Sequence, residues 1–256
     1  MGTRERRQRD VADREQRFLD TAQDLIQRDG LLNLQMARIA EATDYAIGTL
    51  YQHFASKEDL LVALATRNHL GRQALFERAA RWKGPTRERM IAIALADLML
   101  MREQPEHFRL EQFVWSDVVW RAASADSRAR ALAAGEPCCA LVDGIVEEAL
   151  ACGDLPPGFA LPPIALGIGP WSLCLGMHAL VQVEGLIDET RFGEPYRLLL
   201  KHLQYLLNGY GWQPLADAGD DIALAALVDR VCRAVFGGDC PLTPSDLFKT
   251  PGPSHG

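Results

Sequence analysis

The sequence predicts an all-α protein: a small N-terminal three-helix unit followed by a larger helical body. Three observations carry that expectation. Apolar residues recur at helical spacing along most of the chain, and the strict alternation of a half-buried strand is nearly absent. Pro105, Gly153 with Pro156, and Gly193 with Pro195 mark three of the breaks between helical stretches. The 256 residues are 48% hydrophobic and 24% charged, a globular mixture that excludes disordered and collagen-like chains and is long enough to bury a real core.

Taken in order, Phe18, Ala22, Leu25 and Ile26 form one stripe of a helix over 13–29, which Gly30 stops. Met36, Ile39 and Ala40 face inward on a short piece. A break at Ala42-Thr43-Asp44-Tyr45 separates it from a second short piece, Ala46 to Phe54. Ser56 caps a long helix reaching Trp82, with Asp59 placed as the reciprocal partner of a capping box. Further helices are expected over 86–103, 106–122, 126–152, 163–187, 194–208 and 222–236, the last with Leu224, Leu227, Val228, Val231 and Val235 on one face. After Gly237-Gly238 the proline and glycine content predicts a frayed tail.

Acidic residues exceed basic ones, 34 against 27, so no general basic coat for nucleic acid exists and any DNA contact is local. Arg4, Arg6, Arg7 and Arg9 against Glu5 make the N-terminus the one basic arm. Its start is charged, not the apolar core of a signal peptide, and the six cysteines hold no CxxC pair. Reduced thiols and a cytoplasmic location are therefore expected. Between Asp154 and Glu184 the chain carries no acidic residue, lysine or arginine, long enough for a membrane span. Its prolines, glycines and His178 favour instead a buried helix behind a proline-rich loop, with no membrane partner.

The segment over 30–60 carries the chemistry. Two short helices joined by a tight break can project the second one from the body, and a major groove about 12 Å wide admits one helix. Leu50 and Phe54 anchor that helix inward, leaving Ile47, Gly48, Thr49, Tyr51, Gln52 and His53 partly or wholly outward. Gly48 allows close backbone approach, Thr49 offers a hydroxyl and a methyl, and Tyr51 and His53 reach phosphate oxygens. Lys57 joins the free N–H groups of the next helix in holding a phosphate. Gln35, Arg38 and Ala46 complete the candidate DNA-contacting set.

The run Ile47-Gly48-Thr49-Leu50-Tyr51-Gln52-His53-Phe54-Ala55-Ser56-Lys57-Glu58-Asp59-Leu60-Leu61 resembles the signature of the TetR family of bacterial transcriptional regulators, over roughly residues 14–62. The resemblance implies a dimeric helical repressor with an N-terminal DNA-binding domain and a C-terminal domain for ligand and dimerisation. Thr43-Asp44-Tyr45 stands where many members have Ala-Gly-Val. Ala46 and Ile47 replace the small polar cap and its following lysine, and Leu34 replaces a capping threonine, so that Asn33 or Gln35 is expected to cap. The basic arm would restore some of the lost charge as a backbone or minor-groove contact.

The expected domains are 1–57 for DNA, 58–210 for ligand and dimerisation, and 211–256 as a C-terminal extension packing its helix on the body or a partner subunit. An effector pocket is expected from Asn68, Met99, His107, Phe113, Trp115, Trp120, Trp171 and His178, apolar and aromatic with a few polar handles. Leu173, Leu180 and Val181, with Leu199, Leu203 and Leu206, are expected to pair across a two-fold axis. His69 and His107 suggest a metal site, but no carboxylate is spaced to join them, and neither metal nor cofactor is expected. No Gly-x-Ser-x-Gly, His-Glu-x-x-His or phosphate-loop pattern supports catalysis, so no enzyme is expected. The reading is a homodimeric repressor released from its operator by a small apolar or aromatic effector; the alternative is an activator, or a regulator without a small-molecule ligand.

Overall fold

The computed structural model describes residues 3–158, 161–237 and 247, which form helices joined by turns and loops, with no strand among them. Helix α1 spans Thr3–Asp29. It begins ten residues earlier than the apolar stripe required, so the basic arm is helical. Opposite charges four apart (Glu5 and Arg9, Arg6 and Asp10, Asp13 and Arg17) suit that extension. Gly30, at φ 87°, ends the helix and donates its N–H to Ile26 at 2.9 Å.

Helices α2 (Met36–Ala42) and α3 (Ile47–His53) follow. Asp44 takes the left-handed conformation of the turn between them, φ 57°, a position that aspartate tolerates better than most residues. The Thr43 hydroxyl donates to Ile39 at 2.7 Å and so closes α2. Neither Gln35 nor Asn33 caps α2: Gln35 stands at the cap without a side-chain bond, and Asn33 donates to the Asp29 carbonyl at 2.7 Å. Helix α4 spans Lys57–Arg81, capped as expected by Ser56, whose hydroxyl accepts the Asp59 N–H at 3.0 Å. Asp59 does not complete the box; its carboxylate accepts the Ser124 N–H at 2.7 Å instead.

Helix α5 is Thr86–Glu103 and is buried all round over Met90–Ala96, the pattern of an interior helix. The single helix expected over 106–122 is two, α6 (Pro105–Val114) and α7 (Asp117–Ala122). The Ser116 hydroxyl donates to the Phe113 carbonyl at 2.6 Å and breaks the run there. Then come α8 (Ala125–Cys152), α9 (Pro163–Val181), a short α10 (Glu189–Phe192) absent from the sequence reading, and α11 (Pro195–Gly209). Helix α12 (Asp221–Val231) is capped by Asp220, which accepts from Ile222 and Ala223, and continues as a π-helical turn over Cys232–Phe236.

The chain forms two compact units, one running to Leu70 and taking Glu106–Gly135, the other Gly71–Pro105 and from Glu136 onward. The first has a core of Phe18, Ile39, Leu50, Phe54, Leu60 and Leu64 with Leu110, Val114 and Val119. The second gathers Ile91, Leu95 and Leu98 with Val146, Leu199, Leu203, Leu207, Trp212, Val228 and Phe236, so the C-terminal helix is part of this core. Buried Arg87 ties its end of the core together. The guanidinium donates to Trp212 O at 2.6 Å, Gln204 Oε1 at 2.6 Å and Asn208 Oδ1 at 2.9 Å. With neutral acceptors only, burial pushes the Arg87 pKa down to about 10.

Three expectations need correction. Cys232 is disulfide-bonded, so the thiols are not all reduced; Cys138, Cys139, Cys152 and Cys174 are free. Helix α9 is not a buried helix: the window Ile164–Val181 is long and apolar enough to cross a membrane by length and composition, and only 28% of it is buried. Leu199 and Leu203, each 1% exposed, fill the chain's own core and offer no surface to a partner. The apolar surface lies beside them, on Leu180 with Ile164, Ile168, Trp171 and Tyr205, while Leu173, Val181 and Leu206 are half-buried.

Candidate nucleic-acid interface

Helix α3 sits on the surface of the first unit with one edge in its core. Leu50 and Phe54 are buried; Ala46, Ile47, Gly48, Tyr51 and Gln52 are exposed, and Thr49 and Lys57 are half-buried. The exposed set forms one face because residues three and four apart share a side of a helix. Gly48 lies in the middle of it. A β-carbon there would meet nothing within 4 Å, so the chain's own packing does not require glycine at that position.

Two expected contacts are turned elsewhere. His53 is not outward: its ring packs edge-on against Phe18 at 5.4 Å, and Nδ1 lies 3.8 Å from the Glu15 carboxylate. An aromatic ring beside an apolar core gains more from burial than from solvent. Arg38 is half-buried and ion-paired to Asp29 at 2.8 Å, where Arg28 also binds. The Arg28 hydrogen bond, with Arg38 adding charge, holds the Asp29 carboxyl below its usual range. Gln35 is exposed.

The cradle has one contact that the sequence did not reveal. The Arg14 guanidinium lies over the Tyr45 ring, 5.8 Å from its centre, and Tyr45 in turn packs edge-on against Phe18 at 5.3 Å. The turn between α2 and α3 is thus clasped against α1. An i, i+4 pattern shows each helix's inward face but not which loop residue it meets.

The pocket candidates divide between the units. Asn68, His107, Phe113, Trp115 and Trp120 belong to the first, and Met99, Trp171 and His178 to the second. Phe113 and Trp120 pack on the first core, and Trp115 is exposed. The Asn68 Nδ2 is buried with no hydrogen-bond partner. Burial and the nearby Arg67 cation lower the His107 pKa. A carboxylate does lie near the paired histidines: Glu111 Oε1 is 3.7 Å from His69 Nε2. No group of three metal-ligating side chains occurs among the described residues. In the second unit Met99 is core, Trp171 is half-exposed, and buried His178 hydrogen-bonds Asp97 at 3.2 Å and packs on Tyr196. Arg72 also pairs with Asp97, at 3.2 Å. A surface cleft of about 390 Å³ lies at Ala80–Gly84, Arg89 and Glu148, touching none of the eight candidates.

A supporting helix, a tight turn and an exposed second helix define a helix-turn-helix domain. Residues 18–64 match the family described as bacterial regulatory proteins, tetR family. Over 78 residues the chain is 36% identical to the HTH-type transcriptional repressor KstR of Mycolicibacterium smegmatis, a match covering 30% of this chain and 38% of that repressor. Among solved structures it is similar to a tetR-family regulatory protein from Rhodococcus RHA1, with a TM-score of 0.56 and 18% identity over 79% of this chain and 98% of the other. It is also similar to FadR from Bacillus subtilis solved with stearoyl-CoA, with a TM-score of 0.57 and 17% identity over 76% and 98%. These two likenesses establish the fold alone.

Proposed function

We propose that this protein is a homodimeric transcriptional repressor that holds operator DNA through α3 and releases it when a small apolar or aromatic effector binds. The observation that carries the DNA reading is the exposed face of α3 centred on Gly48, with open space above its backbone. Ile47, Tyr51 and Gln52 flank that opening, and Lys57 begins the next helix. The KstR likeness, over 78 residues, supports repression.

Dimerisation is supported by the uncovered apolar surface of α9 and α11, where Ile164, Ile168, Trp171, Leu180 and Tyr205 are exposed. A two-fold axis would present two α3 helices to successive major grooves, whose centres lie about 34 Å apart. For the effector, we place the polar handles at Asn68 and His107 and the apolar wall at Phe113 and Trp120. The buried, unpartnered Asn68 Nδ2 supports that choice because such a donor costs about 1–3 kcal/mol unless it is satisfied. FadR from Bacillus subtilis, solved with stearoyl-CoA, shows that one protein of this fold holds a ligand with a long acyl chain. A hundredfold loss of operator affinity needs only about 2.7 kcal/mol of differential binding between two states.

The test is a gel shift of the duplex upstream of the protein's own coding sequence, with and without candidate effectors. A shift lost on replacing Tyr51 and Lys57 by alanine supports the reading; wild-type protein that leaves the fragment unshifted at low salt overturns it.

A further inference from the structure

We propose that the first turns of α1 form a second DNA-contacting surface, in which Arg4 and Arg7 hold phosphates flanking those met by α3. The proposal rests on the DNA-binding reading above and extends it to a segment outside the helix-turn-helix.

The geometry comes from one stripe. Arg4, Arg7, Val11, Arg14 and Phe18 are spaced three, four, three and four, so at 3.6 residues per turn they lie within about 80° of one another. The lower end of this stripe is fixed by contacts. Phe18 meets Tyr45 and His53, and Arg14 lies over Tyr45. The stripe therefore faces the turn and α3, and its upper end carries two arginines on the same side. Arg9 lies on the opposite side of the helix, with Glu5 close to it in angle, and Arg6 also lies off the stripe. Arg4 to Asp13 are all exposed, so none of the described residues buries these cations.

Reach and shape select the partner. At about 1.5 Å per residue, Arg7 and Arg4 stand roughly 10 and 15 Å beyond Arg14 along the axis, far enough to meet phosphates that α3 does not. A helix about 10 Å or more across cannot enter a minor groove about 6 Å wide. The body of the helical arm therefore lies against the phosphate backbone, the backbone half of the sequence expectation. Planar guanidinium forks suit phosphate oxygens.

The test compares the full chain with Arg4→Gln/Arg7→Gln and with the off-stripe pair Arg6→Gln/Arg9→Gln, both of which preserve helix propensity and remove the same charge. Fluorescence anisotropy of a labelled 30-base-pair duplex of arbitrary sequence is followed across a salt series, with Lys57→Ala in parallel. Each lost phosphate contact lowers the slope of log K against log salt by about 0.9. The stripe pair should lower it by about 2 per bound chain and the off-stripe pair by much less. Equal effects of the two pairs, or none from the stripe pair while Lys57→Ala weakens binding, overturn this proposal alone. Wild-type protein that shows no salt-dependent binding overturns the DNA reading beneath it.

Discussion

The carboxylate of Asp59, in the first turn of α4, accepts the backbone N–H of Ser124 at 2.7 Å across 65 residues of chain. Burial alone would raise its pKa. That hydrogen bond, with the hydroxyls of Ser127, Ser124 and Ser56, outweighs burial and holds the carboxyl below the usual range. One side chain thus joins the start of α4 to the entry of α8 within the first unit.

Asp59→Asn should therefore destabilise the protein by about 1.5–3 kcal/mol, the worth of a hydrogen bond to a buried charge. Because the folded pKa is depressed, the stabilisation is present above the unfolded value near 4 and is lost as pH falls through the folded one. Urea denaturation of both proteins between pH 7 and pH 3 measures this: the gap between them should close on acidification.

Gly48→Ala should move stability and binding in opposite directions. The added methyl meets nothing within 4 Å and replaces a glycine in the first turn of α3, narrowing the unfolded chain's freedom, a gain of about 0.4–1 kcal/mol. The same methyl occupies space that the proposed docking leaves to DNA, so gel-shift affinity should fall. A variant less stable than the parent, or one that binds as tightly, would contradict the assignment of α3.

Tyr51→Ala and Lys57→Ala should each weaken operator binding and leave the oligomer unchanged by size-exclusion chromatography. For Lys57 the salt slope should drop by about 1 per chain, the mark of a single phosphate contact.

Trp212→Ala should cost about 3–5 kcal/mol, since the side chain is fully buried in the second core. It also removes the Nε1 donor to the Thr86 hydroxyl, a bond of 2.9 Å. Thermal melting of this variant, and of a chain ending at Gly211, should show large losses; an unaltered melting temperature would mean that the C-terminal helix is dispensable.

The helices were legible because the apolar stripes that mark them are the same stripes that build the two cores: Phe18, Ile39, Leu50 and Leu60 in one, Leu95, Leu199 and Val228 in the other. The α3 face was legible by subtraction, once Leu50 and Phe54 claimed the interior. Polar residues were harder. Ser116 broke a helix that its neighbours would have continued, through a bond to a carbonyl three residues back. His53 and Arg38 stand among the expected DNA contacts, but Phe18 and Asp29 offer them partners that only the tertiary fold brings near. Leu199 and Leu203 showed the limit of composition: a leucine stripe declares that it will be covered, not whether the cover is the same chain or another. Arg87 and Asp97 meet partners more than 80 residues away, and such pairings leave no periodic trace.

A second copy seated on the bare side of α9 would tie the protein's endurance to its abundance. If a twin covers Ile164, Ile168 and Leu180, then melting temperatures taken from dilute and crowded samples will differ by mass action alone. A cell that makes only a few dozen copies would hold a weaker molecule than the one in the test tube.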